Sequence, residues 1–334
     1  MPKQIELDSD FEAPALRAGL DVLFILARVL RNAFSDSTTI DSLESFDVDY
    51  INVAKVLGSV LADPQYSLSK TSDIADIWTA FFLHRDIKHL PDEPRSILER
   101  IRDEAIALAE TQTDCIQDLL AANVQAHTLV KDILTQHGLQ RLMPSTPVPI
   151  ELKNDSAGTG YCCATSPLTG RIDWSHQVVS HALIGLIVAD LIFSHEYLSH
   201  LVPRNLHLGH TIREQWLVSA LVEPLRETPS YPRWKIRLWP AYRRMLEDHV
   251  SQSDTGLLQT FGYEGAEQAS VLLYFTNPQL FWKLTAEMLE HEPDEDHAQT
   301  ASWVAFRLVG EDPRTFSKQK ISSLNELRAT LEEQ

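Results

Sequence analysis

The amino-acid sequence predicts a mostly α-helical protein with a small β-sheet (α+β), and three observations carry that reading. Apolar residues recur at helical spacing through the first 143 residues. A proline-rich segment then interrupts the chain at Met143-Pro144-Ser145-Thr146-Pro147-Val148-Pro149. A run of strand-like pattern follows before helical spacing returns. Three prolines in six residues exclude helix, so the chain divides there into a helical N-terminal domain, residues 1–143, and a second domain, residues 147–334.

Pro14 opens the first helix, in which Leu16, Leu20, Leu23, Ala27 and Leu30 recur at three and four residues, with Arg17, Arg28 and Arg31 elsewhere around it. The Ser-, Thr- and Asp-rich stretch from Ser35 to Asp41 reads as a loop, and helices follow around Tyr50 to Leu61 and Ile74 to His84. Pro91 and Pro94 break the chain before a long helix from Ser96 to about Leu120, charged on one side through Glu99, Arg100, Arg102, Asp103 and Glu104. A further helix from Val124 to Gln136 ends at Gly138, a good C-terminal cap. His84, His89, His127 and His137 are scattered through this half, and each reads as a surface or satisfied histidine rather than a ligand.

Beyond the prolines the period changes to that of strands: Ile150-Glu151-Leu152-Lys153, then Gly160-Tyr161-Cys162-Cys163-Ala164, a turn at Pro167-Leu168-Thr169-Gly170, and Arg171-Ile172-Asp173-Trp174. The adjacent thiols lack C-x-x-C spacing and read as strand residues on opposite faces. Ser175 caps an apolar helix from His176 to His200. Its longest apolar run, Val178 to Phe193, falls short of a bilayer span and reads as buried. Pro203 ends that helix, and Thr211 precedes another apolar one, Ile212 to Pro224, with two isolated acids, Glu214 and Glu223. From Pro240 the chain is again helical.

Composition narrows the function classes. A hydrophobic fraction of 44% with a mean hydropathy of -0.17 describes an ordinary globular chain. A net charge of -18 argues against nucleic acid as a partner, because phosphate neutralisation needs clustered Lys and Arg. The main basic stretch, Arg226, Arg233, Lys235, Arg237, Arg243 and Arg244 interleaved with Trp234, Trp239 and Tyr242, reads as a helix face packed on aromatics. An anionic substrate is its alternative partner. Cys115, Cys162 and Cys163 make no disulfide framework, and Met1-Pro2-Lys3-Gln4-Ile5-Glu6 has no signal-peptide pattern, which together predict a cytoplasmic location with no membrane association.

The chemistry is concentrated at His195-Glu196-Tyr197-Leu198-Ser199-His200. Neutral imidazoles bind zinc, and a neighbouring carboxylate takes the proton from a bound water. The usual helical form is H-E-x-x-H, with the histidines about 40° apart around the helix. Here the spacing is five residues, roughly 140° on an ideal helix, so His195 and His200 can share an ion only across a one-residue π-bulge. His181 lies about 21 Å before His195 along the axis and cannot join them, and Asp190 can reach a ligand's second nitrogen only if the helix bends. A second H-E pair, His291-Glu292 with His297 beyond it, is followed by Pro293 and reads as a solvated acidic loop.

The first motif resembles the H-E-x-x-x-H helix of the dipeptidyl peptidase III family of zinc peptidases, with Ser199 where that family has Gly before the second His. The resemblance covers the motif and its immediate surroundings. It implies a zincin-like metallopeptidase region after the helical domain, in which Zn²⁺ is held by His195, His200 and a glutamate from a downstream helix, with Glu196 as the catalytic base. Glu214 and Glu223 lie about 180° apart around their helix, so only one can face the metal. Glu214 is the choice, Glu223 the alternative ligand, and His207 and His210 compete with both. The resemblance also implies that an edge strand, Tyr161 to Thr165, pairs with an extended peptide or protein substrate. A Tyr, His or Arg from outside the motif helix would steady the oxyanion, and Tyr231, Tyr242, His249 and Tyr263 are eligible. The expected function is zinc-dependent peptide hydrolysis. The alternative is a non-catalytic helical interaction or regulatory protein derived from a metallopeptidase, with a protein partner on the N-terminal helices.

Overall fold

The structure, a computed structural model, describes residues 5–7, 14–63, 74–84, 87–111, 116–153, 163–166, 171–175, 179–201, 274 and 277–290. These are mostly helical, with one small sheet. Strand β1 (Ile5–Leu7) precedes helices α1 (Pro14–Phe34), α2 (Ser37–Glu44), α3 (Tyr50–Leu61), α4 (Ile74–Leu83), α5 (Asp92–Thr111) and α6 (Ile116–Gln136). Strands β2 (Ile150–Lys153), β3 (Cys163–Ser166) and β4 (Arg171–Ser175) follow, then α7 (Val179–Ile187), α8 (Ala189–Leu201) and α9 (Pro278–Glu290).

Two compact units form, each assembled from chain on both sides of the proline segment. One holds β1 to α5, α6 as far as Ala126, the sheet, α7, and α8 as far as Phe193. The other holds α6 from His127, the stretch to Ser145, α8 from Ser194, and α9.

In the first unit, α7 lies against α1 and α3, and α5 against α1, α2 and α4. Six consecutive α1 residues, Val22 to Ala27, are buried, so the helix is enclosed beyond the single apolar stripe its spacing suggests. Phe34 of α1 meets Tyr50 of α3 at 5.6 Å between ring centroids, both rings buried. Trp78, Phe81 and Phe82 form an aromatic cluster on α4.

The sheet order is β1-β2-β4-β3, with β1, β2 and β4 parallel and β3 antiparallel on β4. Its register aligns Ile5, Ile150 and Ile172 in one row, Glu6, Glu151 and Asp173 in the next, and Leu7, Leu152 and Trp174 in the third. Ile150 and Leu152 are fully buried while Glu151 is half-buried, the period-two alternation of a sheet with one face on the core. Strand β1 is not anticipated by local pattern: three residues suffice only because β2 supplies their partner.

Several boundaries differ from the sequence reading, each for a local reason. The Ser35 to Asp41 stretch contains the start of α2, because the Asp36 carboxylate accepts from the N–H groups of Thr38 and Thr39. α5 begins at Asp92 rather than Ser96: Pro94 falls in its first turn, where no helical N–H is needed. α5 ends at Thr111 and α6 begins at Ile116, so Ala121, Ala122 and Asn123 are helical rather than a break. The helix read from His176 to His200 is two helices meeting at Val188, whose carbonyl accepts from both Leu191 (2.9 Å) and Ile192 (3.1 Å), with no proline or glycine next to it.

Gly138 ends α6 as expected, with φ +73°. Leu139 N–H donates to Leu134 O (2.7 Å) and Gly138 N–H to Thr135 O (3.1 Å), a Schellman cap in which Leu134 and Leu139 are both buried. The proline segment is tied to α6 by two side-chain bonds. Asn123 Nδ2 donates to Val148 O at 2.9 Å, and His127 Nε2 bonds Pro144 O at 2.8 Å.

The cap on α2 has a pH signature. A side-chain bond from Thr39, followed by the two backbone N–H groups, holds the Asp36 carboxyl below its ordinary value of 3.8, and Arg100 donates to Thr39 Oγ1 at 2.9 Å. A carboxyl lowered on folding adds stability that is present above the unfolded value and lost as pH falls through the folded one. Asp36→Ala is therefore expected to be less stable than the unmodified chain at neutral pH, with the gap closing below 3.8 in denaturant titrations at several pH values.

Candidate functional site

α8 carries the motif. Of its side chains, those from Ala189 to Ser194 and from Glu196 to Leu198 are described, and every one is buried. At about 100° per residue, the six from Ala189 to Ser194 already cover a full turn, so this stretch has no solvent face. Such a helix normally carries only apolar residues. This one holds Asp190 (3% exposed), Ser194 (0%) and Glu196 (6%), and interactions engage all three, as burial of polar groups requires.

Asp190 stands in the first turn of α8, where the helix dipole favours a negative charge. That place is about 7.5 Å along the axis and roughly 140° around from His195, so α8 does not bring Asp190 beside either motif histidine. His181 belongs to the separate helix α7.

The backbone of α8 is α-helical from His195 through His200, without a π turn. His195 and His200 thus stand five positions apart on an unbroken α-helical backbone, and Glu196 and His200 four positions apart. The donor set, two imidazoles beside a carboxylate, fits zinc by chemical type. The one-residue widening that the five-residue spacing calls for is not part of this backbone. The side chains of His195 and His200 lie outside the described residues. Among the described residues no three His, Cys, Asp or Glu side chains are grouped to hold a metal.

The antiparallel pairing expected upstream is present, with β3 at Cys163–Ser166 rather than Gly160 to Ala164; residues 160–162 and the turn at 167–170 lie outside the described residues. β3 is an outer strand of the sheet, antiparallel to β4, and β4 is the last strand before α7 and α8. Cys163 opens β3 opposite Trp174, and Cys162 lies outside the described residues. Glu214, Glu223, His207, His210, Tyr231, Tyr242, His249, Tyr263, the basic stretch from Arg226 to Arg244 and the pair His291-Glu292 also lie outside them.

The sequence gives little sign of two aromatic contacts from α6. His127, 6% exposed, meets the buried ring of Tyr197 in a T-shaped pair, centroids 5.4 Å apart. His137, at the end of α6, stacks on Trp282 of α9 with centroids 3.5 Å apart, and burial lowers its pKa below the ordinary 6.5. His127 is a satisfied histidine and His137 a surface one, the two alternatives expected for them, but no spacing pattern pairs His127 with the motif helix.

Among the described residues no helix is long and apolar enough to cross a membrane. No family model matches the chain, and neither does any curated protein or solved structure.

Proposed function

We propose that the protein is a zinc-dependent peptide hydrolase, with α8 as its metal helix. One observation carries the reading: along the chain the antiparallel pair β3 and β4 is followed, after α7, by the helix that bears His195, Glu196 and His200, the order of sheet and metal helix that the resemblance to zincin-type peptidases implies. The burial of Glu196 supports it, because a carboxylate in a low-dielectric place is kept for pairing or for chemistry.

His195, His200 and Glu214 would hold the ion, with Glu223 as the alternative to Glu214. Zinc, when bound, supplies Lewis-acid polarisation of the scissile carbonyl. The chain's own residues do the rest. The outer edge of β3 takes the extended peptide backbone as an added strand, fixing its register. Glu196 accepts the proton of the attacking water and returns it to the leaving amine. A zincin-like second domain over residues 147–334, a helical domain over 1–143 offering a protein partner a surface, and a cytoplasmic location suited to adjacent Cys162 and Cys163 belong to the same proposal.

A second reading, a non-catalytic helical interaction or regulatory protein derived from a metallopeptidase, is favoured by the uninterrupted α-helical backbone between His195 and His200. Elemental analysis of protein purified without chelator separates the two. The first reading expects about one zinc per chain, lost in His195→Ala or His200→Ala. No stoichiometric transition metal leaves the second.

The third ligand is tested by the zinc affinities of Glu214→Ala and Glu223→Ala, measured side by side. Only the residues from Leu201 to Arg213 separate His200 from Glu214. At about 3.3 Å per extended residue they span more than the 8–10 Å between packed helices, so the larger loss is expected in Glu214→Ala. A loss confined to Glu223→Ala assigns the ligand there, and a loss in neither points to His207 or His210.

A further inference from the structure

Glu196 takes its place in α8 beside Tyr197, whose ring is met by a histidine from another helix. Tyr197 is 0% exposed and His127 of α6 6%. Their rings meet with centroids 5.4 Å apart and planes at 70°, the edge-to-face arrangement that sets a positive ring edge on a negative face. A core that needed only volume here would be served by Phe or Leu, since a buried imidazole is costly unless its nitrogens are bonded.

His127 Nε2 lies 2.8 Å from the carbonyl oxygen of Pro144. A carbonyl only accepts, so Nε2 carries the proton and the tautomer is fixed. Pro144, Pro147 and Pro149 have no N–H to donate, so this segment cannot pair with itself as a helix does, and its carbonyls take donors from α6. The imidazole is thus held by the proline segment through Nε2 while its ring packs on Tyr197.

We infer that His127 is a positioning residue for the motif helix. The bond to Pro144 fixes the imidazole, the imidazole fixes the Tyr197 ring, and Tyr197 sets the rotation of the helical turn on which Glu196 and His200 stand. The consequence for metal rests on the proposed function; the positioning of α8 does not.

The test compares His127→Ala, which removes both contacts, with His127→Phe, which keeps a ring against Tyr197 and loses only the bond to Pro144. Amide hydrogen exchange by mass spectrometry reads residues 194–201 and, as reference, α1 and α3. Competition with a chelator reads zinc affinity. In His127→Ala, exchange over 194–201 rises about tenfold while α1 and α3 keep their protection. Zinc binding weakens by about 10-fold, the low end of the 10- to 100-fold loss usual when a group bonded directly to a metal ligand is removed. His127→Phe shows smaller changes in the same direction, and decides the matter alone if His127→Ala does not fold.

Unchanged exchange over 194–201, or a rise shared equally by α1 and α3, overturns the inference. So does unaltered zinc affinity in a variant of a protein that binds zinc. If the unmodified chain binds no zinc, the hydrolase reading falls, and the exchange data still decide the role of His127.

Discussion

Under the proposed hydrolase reading, Glu196→Gln is expected to retain about one zinc per chain and to lower peptide hydrolysis by roughly 10²- to 10⁴-fold, the contribution usual for a positioned general base. The amide matters because Glu196 is only 6% exposed and interactions already engage it. Alanine there leaves a cavity and unpartnered neighbours, so loss of activity would say nothing about proton transfer. Glutamine keeps the volume and a carbonyl acceptor and loses only the charge and the capacity to take a proton. Metal content and turnover measured on one preparation then divide the outcomes. Zinc and activity lost together make Glu196 a ligand or a structural group, which the four-residue spacing of Glu196 and His200 on α8 permits. Retained activity removes Glu196 from the mechanism.

Trp78→Ala is expected to cost about 3–5 kcal/mol, a large part of the roughly 5–15 kcal/mol that holds a domain folded. Trp78 is 0% exposed, with Phe81 at 5.1 Å and Phe82 at 6.5 Å between ring centroids, and Ile74, Ile77 and Phe81 of the same helix are buried with it. Truncation removes the largest side chain of that cluster and leaves a cavity the neighbouring rings cannot close. Trp78→Phe serves as the control. The indole N–H has no hydrogen-bond acceptor among the described residues, so phenylalanine gives up volume without giving up a bond and should cost much less. Denaturant unfolding measures both, and equal costs for the two variants would show that the ring's packing is not what the site depends on.

Much of the helical framework was legible because its causes are local. α3 starts where Asp49 caps it and runs over the span its apolar spacing marks, α1 begins at Pro14, and Gly138 takes the positive φ that ends α6. The antiparallel pairing of β3 with β4 before the motif helix was legible too, since strand alternation is a property of adjacent residues. Where local cues compete, spacing alone misplaces the boundary. The Ser- and Thr-rich stretch after Asp36 looked like loop, yet the same Asp side chain that suits a turn caps α2, and Pro94 looked like a break although a first turn tolerates proline.

The motif itself shows the division most clearly. Residue identity alone set His195, Glu196 and His200 five residues apart end to end, next to a run apolar enough to be buried. The tertiary structure decided how that run is interrupted at Val188, that α8 stays α-helical across the two histidines, that Glu196 is enclosed, and that His127 from α6 lies on Tyr197. It also decided that β1, three residues near the start of the chain, is a strand paired in parallel with β2, well over a hundred residues away. The reason is the same in each case. Helix starts, caps and tight turns are settled by hydrogen bonds within a few residues, which spacing reveals. A parallel strand pair or a ring seated on another helix depends on partners distant in sequence, and a single chain's pattern does not encode which distant partner arrives.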